Sequence, residues 1–279
     1  MNRMLGGGLI LMSHLLGCLT AAPAAEMQYP LAVAAALNGP IYVADRNLPG
    51  VWKVADGKLE LFFEGSKKFR TPLNAVRCLA IDAKGRLVAG DSSTREIYRF
   101  NAEGKPEPLS KAGIGIPMAI AFNSQGEIFV CDLEIHRIVK VPEAGGEPTI
   151  VAEIQAPRGI AIDPQDRIWV VSHGKNQIVR ILPDGTVETV VEGQPFQFPH
   201  TLVLDQDLNA YLCDNYAKAV WKVGADRKAV KLVEGEPLKS PVGIALQGDR
   251  LLVADPRATG QFLFTVTLDG KIAPLPYTK

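Results

Sequence analysis

The chain has 279 residues, 47% hydrophobic and 22% charged, which is enough apolar material to bury a core in one large domain or two small ones. Its 30 basic and 30 acidic residues cancel, so the overall basic field that binds phosphate backbones is missing and nucleic acid is not an expected partner. Its 4 cysteines show no CxxC spacing, which argues against a zinc ribbon or a dithiol centre.

Residues 1–25 stand apart from the rest. Arg3 precedes an apolar run from Leu9 to Leu19, and AAPAAE follows. A short apolar core with a small-residue end reads as an export signal and is too short for a stable membrane span. Cleavage after Ala24 puts Ala22 and Ala24 at the two small-residue positions. A competing reading takes Leu15-Leu16-Gly17-Cys18 as a lipobox, with Cys18 lipidated as the new N-terminus, although Leu16 is a less usual residue there. Either way residues 26–279 are expected outside the cytoplasm, periplasmic or secreted, or held at a membrane by a lipid anchor. No other segment is long and apolar enough to span a bilayer. Cys78, Cys131 and Cys213 remain after export. Their odd number precludes a complete disulfide framework, and buried free thiols are expected.

The remainder is a repeat. Aligned on a recurrent proline, the segments are PLAVAAALNGPIYVAD (30–45), VRCLAIDAKGRLVAGD (76–91), PMAIAFNSQGEIFVCD (117–132), PRGIAIDPQDRIWVVS (157–172), PHTLVLDQDLNAYLCD (199–214) and PVGIALQGDRLLVAD (241–255). The second has Val76 at the proline position, and Pro72 earlier marks a loop insertion. A period of about 42 residues is that of a four-stranded propeller blade. Each segment holds two β-rich runs across a turn. In DAKG (82–85) and NSQG (123–126) the first side chain can bond the turn backbone, and the glycine accepts positive φ. A third run follows: GVWKV (50–54), EIYRF (96–100), RIVKV (137–141), QIVRI (177–181), AVWKV (219–223) and FLFTV (262–266). A fourth closes each unit, as in LELFF (59–63) and VETVV (187–191), and repeat six is expected to have it in full.

The sequence therefore predicts an all-β, six-bladed β-propeller with four antiparallel strands per blade, over residues 26–279. Ala32, Cys78, Ala119, Gly159, Thr201 and Gly243 share one position of the first strand. Small residues fit where six strands converge, so the first strand is expected innermost. The ring is expected to close without a borrowed strand. Trp52, Trp169 and Trp221 read as packing between blades. The third-strand cations Lys53, Arg99, Lys140, Arg180 and Lys222 read as a solvated face.

The pattern P-x-G-I-A-x-D…I-x-V-A-D…R-I resembles the NHL-repeat family of six-bladed propellers, with its SMP-30/gluconolactonase-like relatives, over residues 29–279. That resemblance implies the fold. It leaves function open, because the architecture hosts binding scaffolds, lactonases, lyases and synthases.

Asp45, Asp91, Asp132, Asp214 and Asp255 close the second strand, a recurrence that suits structure better than catalysis. Ser172 replaces the aspartate in blade four, next to His173. The residue after the proline varies: Leu31, Arg77, Met118, Arg158, His200 and Val242. So does the residue after the aspartate: Arg46, Ser92, Leu133, His173, Asn215 and Pro256. Both series belong at one mouth of the central channel, and a fixed scaffold with a variable rim is how such folds carry sites. The candidate ligand-binding residues are Arg46, Arg77, Arg158, His173, His200, Asn215 and Tyr216. Converging guanidinium groups suit a carboxylate, sulfate or phosphate. The competing reading pairs each arginine with a local acid.

Catalytic readings find less. There is no GxSxG motif, and no nucleophile is assigned. The family's metal-dependent amidating lyase carries zinc-binding Pro-His pairs in three blades. Only Pro199-His200 matches, with Arg46 and Tyr216 similar to its rim residues. The gluconolactonase-like relatives imply a divalent ion held by a Glu, Asn and Asp set, for which Asn74, Glu134 and Asn215 are loosely suggestive. No metal ligands or cofactor are assigned, and a divalent metal at the mouth belongs to the alternative. The expected function is recognition of a small ligand, peptide or protein at the mouth. The alternatives are a metal-dependent hydrolase or lyase there, and a structural envelope protein using the blade edges.

Overall fold

The computed structural model describes residues 26–278. The expected signal and Cys18 lie outside the described residues. Blade 1 is β1 (Pro30–Ala35), β2 (Ile41–Asp45), β3 (Gly50–Ala55) and β4 (Lys58–Glu64). Blade 2 is β5 (Val76–Ile81), β6 (Leu87–Asp91), β7 (Glu96–Phe100) and β8 (Pro106–Pro108). Blade 3 is β9 (Pro117–Phe122), β10 (Ile128–Asp132), β11 (Arg137–Val141) and β12 (Thr149–Glu153). Blade 4 is β13 (Pro157–Ile162), β14 (Ile168–Ser172), β15 (Ile178–Ile181) and β16 (Val187–Val191). Blade 5 is β17 (Pro199–Leu204), β18 (Ala210–Asp214), β19 (Ala219–Val223) and β20 (Ala229–Glu234). Blade 6 is β21 (Gly243–Gln247), β22 (Arg250–Ala254), β23 (Leu263–Thr267) and β24 (Ile272–Pro274).

Each sheet orders its four strands as they follow in the chain, every pair antiparallel. Each first strand lies beside the first strands of both neighbouring blades, and β21 meets β1, so the six sheets form a closed propeller. Among the described residues no helix is long and apolar enough to cross a membrane.

The core is six apolar layers, one between each pair of blades. Val43 and Trp52 of blade 1 pack on Leu252 and Leu263 of blade 6, and equivalent clusters fill the other five interfaces. Both faces of each blade are therefore covered. This explains why β10, β14 and β18 are apolar runs buried at every residue rather than alternating strands.

The first strands are innermost, and their small residues have a steric reason. A Cβ on Gly159 would lie 2.6 Å from the His200 carbonyl oxygen and 2.8 Å from Thr201 Cα, across the blade 4–5 boundary. Two expectations need correcting. The fourth strand of blade 6 is only three residues, Ile272–Pro274, because proline removes a ladder donor. The third-strand cations are not uniformly solvated: Arg99 is 13% exposed, lies near Asp82 and donates to the Glu143 carbonyl of blade 3 (2.9 Å).

Candidate functional site

The second-strand aspartates fix the rim. Asp45 accepts the N–H groups of Gln28 (2.6 Å) and Tyr29 (3.0 Å) before β1, and of Asn47 and Leu48 after β2. Asp214 does the same for Gln197, Phe198 and Ala217. Each carboxylate thus ties the segment that enters the innermost strand to the loop that leaves the second. In blade 4, Ser172 does half of this. Its Oγ accepts from Gly174 N–H (3.2 Å) and donates to the Asn176 carbonyl (3.0 Å), but no bond of its side chain reaches the segment before Pro157. The buried carboxylate of the other five blades is therefore absent beside His173.

The two variable series meet at one mouth. A cavity of about 210 Å3 is lined by all six residues that follow the proline position: Leu31, Arg77, Met118, Arg158, His200 and Val242. Arg46 and Asn215 of the second series line it too. Thr201 lines both this cavity and the axial channel of about 430 Å3 beneath it. The cavity is below the ~300–1,000 Å3 of drug-sized sites, so its size suits a small ligand or the end of a larger one.

Two aromatics escaped the sequence reading. Tyr29 and Phe198 line the cavity, and each directly precedes the proline. Aligning that pre-proline position, which proline holds extended, would have exposed them. Phe198 organises the remaining candidates. His173 packs edge-on to its ring at 4.4 Å, His200 and Tyr216 lie tilted to it at 5.3 Å and 4.7 Å, and the Arg158 guanidinium sits 5.1 Å from its centre. His173 and Tyr216 therefore abut the cavity through Phe198 rather than lining it.

The mouth is electropositive and only partly satisfied. Arg77 Nε donates to Ser92 Oγ (3.0 Å), and Asn215 Oδ1 accepts from Ser240 Oγ (2.8 Å). Among the described residues no ion pair involves Arg46, Arg77 or Arg158, and no lining residue is acidic. The reading in which each arginine has a local acid therefore does not hold there. Arg158 Nε and His200 Nε2 are buried and have no hydrogen-bond partner among the described residues. Burial lowers the pKa of both guanidinium groups, and Arg46 adds to this at Arg77 as Arg77 does at Arg158. Burial pushes His200 down to about 3, with Arg158 and His173 repelling its proton further. Burial and Arg158 lower His173 as well, against its bond to the Pro199 carbonyl (2.8 Å), which holds a proton on Nε2. Burial thus favours the neutral form of both imidazoles, most strongly at His200.

A divalent ion does not fit these donors. Asn74 donates to the Ser66 carbonyl within its own loop (2.6 Å), and Glu134 pairs with Arg95. Only Asn215 of the suggested set lines the cavity, among guanidinium groups that repel a cation. Among the described residues no group of three or more His, Cys, Asp and Glu side chains is arranged to hold a metal.

Fold and mouth define a six-bladed propeller with a cationic cavity, lined in part by Tyr29 and Phe198, at one end of its channel. The chain belongs to the SMP-30/gluconolactonase/LRE-like family, whose model matches residues 20–209. Among solved structures, a gluconolactonase from Xanthomonas campestris superposes over 90% of this chain and 87% of its own, with TM-score 0.72 and 17% identity. Virginiamycin B lyase from Staphylococcus aureus superposes over 90% of this chain and 85% of its own, with TM-score 0.68 and 16% identity. At such identities the likeness shows the fold alone. A shorter stretch, 77 residues or 28% of this chain, is 32% identical to human (Homo sapiens) E3 ubiquitin-protein ligase TRIM32 and spans 11% of that protein's length.

Proposed function

We propose that the protein is an exported recognition module whose mouth binds a small organic anion, or the carboxylate end of a peptide, without chemistry of its own. One observation carries this reading: Arg158 is half-buried with an unpartnered Nε, in a cavity whose lining contains no carboxylate. A buried cation without a counter-charge is costly, and an anion with two acceptor oxygens removes that cost. Arg77 and Arg46 supply further positive charge, and Phe198 an apolar part of the lining.

The test is thermal unfolding in a panel of carboxylates, sulfate and phosphate. An anion present at about 100 times its Kd stabilises by about 2.7 kcal/mol, or roughly 5–10 °C for a chain of this size. Arg158→Ala should abolish the response. A panel that leaves Tm unchanged, or that shifts wild type and Arg158→Ala equally, would sink the proposal.

A second reading, a hydrolase or lyase, has one observation in its favour. His200 lines the cavity and its Nε2 is unpartnered, so it can accept a proton from a bound group, though only as a weak base, because burial lowers its pKa to about 3. The family and its lactonase and lyase neighbours make such chemistry plausible, while the donors at the mouth favour a form that does not use a metal. Turnover of a lactone that vanishes in His200→Ala with folding intact would make this the leading reading.

A further inference from the structure

The loop between β4 and β5, residues 65–75, borders the mouth face without lining the cavity. It is tightly built. Ser66 Oγ accepts from Lys68 N–H (3.0 Å), Thr71 Oγ1 donates to the Lys68 carbonyl (2.6 Å), and Arg70 N–H reaches Ser93 Oγ (3.3 Å). Leu73 is fully buried in the layer between blades 1 and 2. Two non-glycine residues, Arg70 (φ 60°) and Leu73 (φ 58°), hold left-handed backbone conformations. Side chains adopt these only where the surroundings enforce them.

What this loop holds out is Phe69, 71% exposed, with the Arg70 guanidinium 5.5 Å from its ring centre. Lys67 and Lys68 precede it. Among the described residues none of these three cations forms an ion pair, although Glu64 is near in the chain. Two more loops of the same face present apolar tips. Ile135, between β10 and β11, is 55% exposed, and Tyr216, between β18 and β19, is 64% exposed. The three tips stand at different points around the ring. A folded protein partner needs one contiguous, well-packed patch, which separated tips do not make. A plane can meet all three. Phe69 beside three unpaired cations, with two further apolar tips on the same face, has the chemistry of an anionic lipid interface, where rings sit at headgroup level and lysines meet the surface charge.

We propose that the mouth face docks on an anionic lipid surface, led by Phe69 and the cations of residues 67–70. Docked this way, the cavity opens toward the bilayer, whatever it binds.

The closed propeller, residues 26–279, is tested without the apolar run of residues 9–19, which would itself partition into lipid. Co-sedimentation uses vesicles of phosphatidylcholine with and without phosphatidylglycerol. Binding is expected only to the anionic vesicles and should weaken with salt. Each cation near such a surface is worth about fivefold in affinity, so Lys67→Ala, Lys68→Ala and Arg70→Asn together should cost on the order of 100-fold. Asparagine is chosen because it tolerates the left-handed backbone. Phe69→Ala should cost about tenfold through lost apolar burial. These positions are exposed, and an unchanged Tm verifies folding. Failure to bind anionic vesicles, or binding indifferent to the triple variant, would overturn the proposal. Binding that survives Phe69→Ala undiminished would point to plain charge attraction, as to an acidic protein, and would overturn it equally.

Discussion

His200 is the base at the mouth whose protonation burial opposes most. Its pKa in the folded protein is about 3, against roughly 6.5 in an unfolded chain. Between those values the unfolded state binds the extra proton, so stability rises with pH across that window. The contribution is full above about pH 6.5 and falls away as pH drops toward 3. At pH 5 the loss is about 2 kcal/mol, from roughly 1.5 pH units at 1.36 kcal/mol each. Urea unfolding at pH 7 and pH 5 should therefore show wild type losing about 2 kcal/mol more than His200→Gln. Equal losses would mean that His200 is not kept neutral by its site. The positions of His200, Arg158 and Arg77 were legible because alignment of the repeat puts each next to a strand end of known direction. Phe198 was not. Its place before a proline could have been aligned, but its role depends on four side chains, two from strands β13 and β17 and two from the loops after β14 and β18, closing round one ring, which no spacing along the chain encodes. Ser172 was legible as an exception. That its side chain leaves the segment before Pro157 held only by the backbone bond from His173 N–H to the Ala156 carbonyl (3.2 Å) required the bonds themselves.

At the scale of the strand, the constraint is the narrow axis. Innermost strands of adjacent blades approach so closely that one position on each must be small. Gly159 is the tightest instance, since a Cβ would meet the backbone of β17 at His200 and Thr201. Gly243 is looser, with its nearest contacts at 3.0 Å to the Leu31 carbonyl oxygen and 3.1 Å to Ala32 Cα. Gly159→Ala should destabilise by about 2–3 kcal/mol, the upper range for overpacking, and Gly243→Ala by about 1 kcal/mol. Because the strain in Gly159→Ala falls on the residue that carries His200, its response to anions should weaken as well. Urea unfolding checks the order, and equal costs at the two glycines would contradict this account of the axis. Small residues at one register are a pattern that sequence displays directly, which is why the inner strand was identifiable. Arg99 was misread for the opposite reason. Its partner, the Glu143 carbonyl, belongs to another blade's turn, and pairings between blades leave no periodic trace.

The whole molecule closes by contacts between its two ends rather than by exchanging a strand. Blade 1 and blade 6 share an apolar layer that includes Leu275, with Tyr277 packed against it. Thr278 pairs with the outer edge of blade 1, donating to the Gly57 carbonyl (2.8 Å) and accepting from Leu59 N–H (2.7 Å). On the inner side, Gln247 Nε2 donates to the carbonyls of Ala36 (2.9 Å) and Gly39 (3.2 Å). Chain connectivity supports the other five interfaces, because consecutive blades are joined by short loops. The sixth is held by non-covalent contacts alone, so it should be the first to open. Ending the chain at Pro276 removes the Thr278 pair and the Tyr277 packing. At about 0.5–1.5 kcal/mol for each hydrogen bond, plus the ring's burial, the loss should be roughly 2–4 kcal/mol. Its distribution is the sharper test. Hydrogen exchange should quicken in blades 1 and 6 and stay near wild type in blades 3 and 4, far from the closure. Uniform acceleration would mean that the ring opens only as a whole, and unchanged exchange would mean that the apolar layer alone keeps it shut.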